Sequence, residues 1–152
     1  MIAAIIQARL ASTRLPGKVL ADIAGRSMLW HIVQRVRKAT LVDVVVVATS
    51  DSSTDDPLEV LCTQEGFPCF RGSEDDVLDR FYRAGVSVGA DSVVRITGDC
   101  PLIDPAVIDR VVARYLEGGH DYVSNTIRYT YPDGLDVEVV SFGALERAWR
   151  EA

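Results

Sequence analysis

Hydrophobic and polar positions follow two alternating rhythms along this 152-residue chain. Short, nearly continuous apolar runs at 2–6 (IAAII), 44–48 (VVVVA) and 92–96 (SVVRI) predict buried strands, and DYVS at 121–124 predicts another. Between them apolar residues recur every three or four positions over 28–39, 57–65, 76–88 and 105–117, the spacing of helices with one apolar face. A shorter strand is expected at 68–71 (PCFR). Residues 136–141 (DVEVVS) alternate like a half-exposed strand, and 142–151 (FGALERAWRE) return to helical spacing. Strands that alternate with helices, and that are apolar on both faces, predict an α/β domain with a mostly parallel central sheet and helices on both sides.

Composition sharpens this picture. At 48% hydrophobic residues, with no linker, repeat or low-complexity tract, residues 1–152 read as a single domain. The last helix runs to Ala152 without a glycine or proline stop, the pattern expected of a chain cut from a longer protein. With 22 acidic and 16 basic residues the net charge is -6, which would repel a polyanion, so nucleic acid is a poor partner. No segment reaches the ~18 apolar residues of a membrane span. The opening MIAAII also lacks the basic flank and cleavage site of a signal peptide, so a soluble cytoplasmic protein is expected. Cys62, Cys69 and Cys100 have no metal-site spacing and read as reduced packing thiols. His31 reads as a packing or capping residue. His120, after Gly118-Gly119, reads as a charge complement to a helix end.

Against the acidic average, the stretch after the first strand, QARLASTRLPGKVL at 7–20, is basic. Loops at the carboxyl ends of strands are where open α/β sheets bind ligands. Arg9, Arg14 and Lys18 supply charge there, Ser12 and Thr13 supply hydroxyls, and the loop backbone can supply amides, a set suited to a triphosphate. A solvated basic loop is the competing reading. Gly17-Lys18 is not a Walker A loop, because position 12 is serine and position 19 is valine, and no GxGxxG is present.

AIIQARLASTRLPGK resembles the N-terminal signature of the cytidylyltransferases that make CMP-activated acidic sugars. These are the CMP-N-acetylneuraminate and CMP-Kdo synthetases, and above all their relatives of the spore coat polysaccharide biosynthesis protein F type. VVVATSD at 45–51, FRGSEDDVLDRFY at 70–82, VVRITGDCPLIDP at 93–105 and YVSNT with YPDGLDVEV at 122–139 extend the resemblance over nearly the whole chain. Ala11 departs from the family's usual glycine, a change that is tolerated if the residue keeps a negative φ. The resemblance implies a Rossmann-like nucleotidyltransferase fold, CTP as donor, an acidic sugar as acceptor, Mg²⁺ as cofactor and a homodimer.

It also implies site residues. Gln7, Ala8, Arg9, Leu10, Ser12, Thr13, Arg14 and Lys18 would contact the nucleotide, with Arg71, Ser73 and Asp79 near its base or ribose. Arg9, Arg14, Lys18 and Asp99 would be catalytic, with Asp99 in TGDCP as metal ligand. One carboxylate facing a triphosphate is a sensible set for Mg²⁺. Ser73 has a competing role as an N-cap with Asp76 three residues on, and Asp79 with Arg80 has one as a solvated helix face. Asp104 is the expected cap of the following helix. Arg95 interrupts an apolar strand and needs an anionic partner, either Asp99 or substrate. With Tyr131, Asp133, Asp136 and Glu138 it forms the expected sugar site. Tyr129 and Tyr131 flank that pocket, and an outer edge-strand face is the alternative for the two strand carboxylates.

The resemblance further implies a second metal-binding aspartate downstream, for which residues 1–152 offer no counterpart; weak CTP binding and poor turnover are therefore expected of this chain alone. Two other readings stand beside the first. A nucleotide-sugar-dependent glycosyltransferase normally carries Asp-x-Asp, where TGDCP has one aspartate, and an inactive nucleotide-binding or dimerisation fragment would fit the abrupt end.

Overall fold

The computed structural model describes residues 1–152. In chain order the elements are β1 (Ile2–Gln7), β2 (Asp22–Ile23), β3 (Arg26–Ser27), α1 (Met28–Val36), β4 (Val44–Ser50), α2 (Asp56–Glu65), β5 (Cys69–Gly72) and α3 (Val77–Val88). They continue as β6 (Ser92–Thr97), α4 (Pro105–Leu116), β7 (Tyr122–Ser124), β8 (Glu138–Ser141) and α5 (Phe142–Glu151). Six strands form one sheet in the order β5-β4-β1-β6-β8-β7. β5, β4, β1 and β6 are mutually parallel, whereas β8 is antiparallel to both β6 and β7. The sheet is thus mostly parallel, as the alternation of strands and helices predicts.

Burial explains the central strand. Residues 3–6 of β1 are wholly inaccessible, with Ala4 and Ile6 in a core shared with α1, α2 and α4, and Ala3 and Ile5 in a smaller core with α3 and α5. A strand covered on both faces has no polar side, hence the unbroken IAAII. α1 starts where the Ser27 hydroxyl accepts the Trp30 amide at 3.1 Å, and its apolar stripe Leu29, Ile32, Val33 and Val36 is buried. Asp104 caps α4 by accepting the Ala106 amide at 2.7 Å, as expected. α5 docks on α3 through stacked rings, with Trp149 and Phe142 on either side of Tyr82 at centroid distances of 4.2 and 5.5 Å. No helix is long and apolar enough to cross a membrane.

Three details differ from the sequence expectation. α1 ends at Val36 rather than 39, and the chain leaves it through Thr40 and Leu41, whose amides are held by Asp109 at 2.9 Å. The N-cap of α3 is Asp76, which accepts the Asp79 amide at 2.9 Å, while Ser73 accepts the Asp76 amide one step earlier at 3.0 Å. The hairpin β2–β3 has no sequence signal, because two-residue strands show no periodicity. Its turn puts Ala24 at φ 52 and Gly25 at φ 86, a left-handed pair that lets a two-residue connection follow the strand twist. His31 buttresses this hairpin through Nε2 and the Ile23 carbonyl, 2.6 Å apart, which is the packing role expected of it.

Candidate active site

β1 is followed in the sheet by β4 on one side, whereas β6 lies on the other. The loops leaving β1 and β6 therefore diverge and open a crevice at the carboxyl edge, the position where doubly wound sheets accept ligands. A cavity of about 330 Å³ occupies it. One wall is the stretch after β1, with Gln7, Ala8, Arg9, Ser12, Thr13, Arg14 and Lys18; the other is the end of β6, with Arg95, Thr97, Gly98 and Asp99. Four cations and one carboxylate line it, so the basic charge is concentrated here in a chain that is acidic overall.

The loop is shaped by its own backbone. The Leu10 carbonyl accepts the amides of Ser12 at 2.8 Å and Gly17 at 3.0 Å, which closes residues 11–16 into a narrow-necked turn. Ala11 fits the tight turn between Leu10 and Ser12 because its φ stays negative. Gly17, at φ 71, takes the left-handed conformation that starts the single 3-10 turn Lys18–Leu20 and turns Lys18 inward. The amides of Ala11, Thr13 and Arg14 bond to no protein group, so they are available as an anion nest beside the three cations.

Gly98 sets the opposite wall. Its amide donates to the Gln7 carbonyl at 2.7 Å, and a Cβ on it would stand 2.5 Å from that oxygen. The backbone of β6 thus crosses over the end of β1 and delivers Asp99 to the cavity. Asp99 meets Lys18, with Oδ2 accepting from Nζ at 2.9 Å, and the Cys100 thiol lies 3.6 Å from Oδ1. The Lys18 hydrogen bond is the main reason the Asp99 carboxyl sits below its ordinary pKa, against the opposing effect of burial. No three metal-ligating side chains gather anywhere in the chain. A metal on Asp99 would be completed by ligand oxygens and water, which fits Mg²⁺ and does not fit a metal that needs several side chains.

Beside this cavity lies a second, of about 250 Å³, sharing Arg95 and Thr97 with the first and adding Thr126, Tyr129, Asp136 and Glu138. Arg95 stands directly across from Glu138 in the β6–β8 ladder and pairs with it, so its anion is neither Asp99 nor a requirement for substrate. Glu138 also accepts the Tyr122 hydroxyl at 2.6 Å. Burial pushes the Glu138 carboxyl up, but Tyr122 and Arg95 together outweigh it and hold the pKa below the ordinary value. Asp136 has no side-chain partner.

Several expected residues lie elsewhere. Leu10 is a backbone hub and does not line the cavity. The Arg71 guanidinium is taken up by Asp56 and Glu59, both at 2.7 Å, and by the carbonyls of Ser50 and Ser52. It braces α2 against the end of β5. Ser73 is occupied in the turn before α3, and Asp79 accepts from Arg83 and from Trp149 Nε1 at 2.8 Å on the α5 side. Tyr131 turns to Arg110, whose Nη1 donates to its hydroxyl at 2.7 Å, and Asp133 is exposed on its turn. Neither lines the second cavity, whereas Tyr129 does.

Two buried charges stand out beyond these. Arg80 is fully buried rather than on a solvated helix face; it donates through Nη1 to the Ser73 carbonyl, and its Nε and Nη2 have no partner. Burial, then the nearby Arg9 cation, lowers its pKa, while Asp55, Asp51 and Asp76 oppose that. Asp55, 2% exposed, accepts the Leu10 amide at 2.7 Å and both the amide and hydroxyl of Ser50. The sequence signal for Asp55 is slight, one aspartate among several in SDSSTDD, and its partner Leu10 lies 45 positions away.

Comparison with known proteins agrees with this fold. The spore coat polysaccharide biosynthesis protein SpsF of Bacillus subtilis is 43% identical over 145 residues, 93% of this chain and 59% of that protein. A cytidylyltransferase structure from Leptospira borgpetersenii superposes with a TM-score of 0.93 at 32% identity, covering 99% of this chain and 64% of that one. A CMP:2-keto-3-deoxy-manno-octonic acid synthetase solved with CTP shares the fold, with a TM-score of 0.75 at 20% identity, over 98% of this chain and 77% of that one. The chain spans about 60% of the length of SpsF and of a 44% identical protein from Methanocaldococcus jannaschii. The cytidylyltransferase family model matches residues 3–152, the same stretch that builds the sheet and both walls of the crevice, and the chain belongs to the cytidylyltransferase family.

Proposed function

We propose that this chain carries the nucleotide site of an enzyme that transfers CMP from CTP to a hydroxyl of an acidic sugar, releasing pyrophosphate. The observation that carries this reading is the meeting of Arg9, Arg14 and Lys18 with Asp99 across one crevice. The relative solved with CTP and the likeness to SpsF support the choice of nucleotide and of a surface-polysaccharide precursor.

In this reading the loop amides of Ala11, Thr13 and Arg14 and the three cations hold the triphosphate. Their donors stand ready before charge builds on the leaving pyrophosphate, so stabilisation needs little reorganisation. Asp99 would hold a Mg²⁺ ion, which supplies charge neutralisation at the phosphates when bound. The second cavity takes the acceptor, with Thr97 at the junction between the two. There the partnerless Asp136 is the carboxylate placed to accept the proton of the attacking hydroxyl, and Arg95 is the cation nearest an acidic group on the sugar.

The experiment is a calorimetric titration of CTP with Mg²⁺ into this chain, followed by pyrophosphate release with a panel of acidic sugars. Saturable CTP binding is expected, and weaker binding of the other nucleoside triphosphates. Absence of CTP binding would overturn the reading.

A further inference from the structure

The basic loop has an exposed tip and a fixed neck. Ala11 and Thr13 through Pro16 are exposed, and hydrogen bonds of the turn converge on one residue, where the Leu10 carbonyl accepts Ser12 and Gly17. That residue has a single side-chain anchor. Its amide donates to Asp55 at 2.7 Å, and Asp55 is itself locked to the end of β4 by the amide and hydroxyl of Ser50. A buried carboxylate is tolerated only when its oxygens are saturated with donors. One of the donors here is the residue on which the whole loop hangs.

We propose that Asp55 is a positioning residue for the nucleotide site: through Leu10 it fixes the neck of the loop, and through Gly17 the point from which Lys18 reaches Asp99. Asp55 does not line the cavity, so it acts through the loop and touches no ligand. Its negative charge also lies near Arg80, whose Nη1 holds the Ser73 carbonyl in the loop after β5. Two opposite buried charges thus stand under two neighbouring loops, one anchoring each. This inference rests on reading the basic loop as the triphosphate cradle.

The same chain contains a matched control. Asp109 accepts the Thr40 amide, the Thr40 hydroxyl and the Leu41 amide, each at 2.9 Å, at the opposite end of the sheet. It performs the same service for a loop with no ligand role.

The test compares Asp55→Asn, Asp55→Ala and Asp109→Ala in residues 1–152, using inorganic triphosphate with Mg²⁺ as probe and amide hydrogen exchange as an independent readout. For Asp55→Asn, the Leu10 and Gly17 amides should exchange about tenfold faster, and triphosphate affinity should fall about tenfold, as for loss of one charge-assisted hydrogen bond. Asp109→Ala should lower thermal stability and speed exchange at Thr40 and Leu41, with triphosphate affinity within about twofold of wild type. Asp55→Asn keeps one acceptor oxygen for Leu10, so it answers the question even where Asp55→Ala fails to fold. Wild-type affinity in Asp55→Asn, or an equal loss in Asp109→Ala, would overturn the proposal. If wild type itself ignores triphosphate, the cradle reading falls, and unchanged Leu10 and Gly17 exchange in Asp55→Asn would then overturn the anchoring as well.

Discussion

Lys18 and Asp99 face each other at 2.9 Å although 81 positions separate them. If Lys18 also faces the phosphates, as proposed, Lys18→Ala should lower CTP turnover about 100-fold, with the ammonium supplying about 3 kcal/mol in the transition state; steady-state pyrophosphate release measures this. Two hydrogen-bonded carboxylates, Asp55 buried and Asp109 half-buried, give a second prediction. Burial raises the pKa values of Asp55 and Asp109, but amide and hydroxyl donors more than offset it, and both sit below the ordinary value. Groups depressed in this way contribute stability above the unfolded carboxylate pKa of about 3.9 and lose it as pH falls through their folded values. Urea unfolding should therefore show a flat stability from pH 7 to 5 and a steep loss below about 4, with a shallower loss in Asp109→Asn.

At this scale the sequence was readable where one motif places neighbouring residues on one loop, as with Arg9, Arg14 and Lys18. At Arg71, Ser73 and Asp79 the structure shows protein partners for side chains that the resemblance places near the nucleotide. Position next to a strand end says which edge a residue occupies. It does not say that Arg71 will be consumed by Asp56 and Glu59, or Asp79 by Trp149.

Among the elements, the end of β6 is the most constrained. A Cβ at Gly98 would meet the Gln7 carbonyl at 2.5 Å and the Ala8 Cα at 3.1 Å, both backbone atoms that cannot rotate away. Gly98→Ala should cost about 2–3 kcal/mol, lowering Tm by roughly 5–10 °C in a scanning calorimeter, and should weaken CTP binding because Asp99 moves with the strand end. Strands and helices with long periodic patterns were legible almost to the residue: α5 spans the expected ten positions less none, and α4 ends one short of 117. What was not legible depended on partners distant in sequence. The end of α1 answers to Asp109 on α4, 69 positions from Thr40.

For the molecule as a whole, alternation of strand and helix predicted a mostly parallel sheet, but strand order and the antiparallel β8 could not be read from it. That order places the crevice, because it sets β1 beside β6. It also brings Glu138 opposite Arg95 and so supplies the anionic partner that an arginine within an apolar strand requires. The net charge of -6 belongs to the surface at large, while the crevice collects four cations.

The Lys18–Asp99 contact has a thermodynamic corollary for how the crevice fills. Here the two groups pair with one another. In the proposed reading, a phosphate that draws Lys18 toward it would free Asp99 for a divalent ion, and an ion on Asp99 would release Lys18 to the phosphate. Each arrival therefore cheapens the other, and linkage requires the coupling to be mutual. CTP should bind more tightly with Mg²⁺ than without it, by a factor that shrinks in Lys18→Met, where the side chain has no charge to exchange; isothermal titration with and without the ion measures both factors. The contact at the crevice is thus an ion pair whose two members would exchange partners on binding.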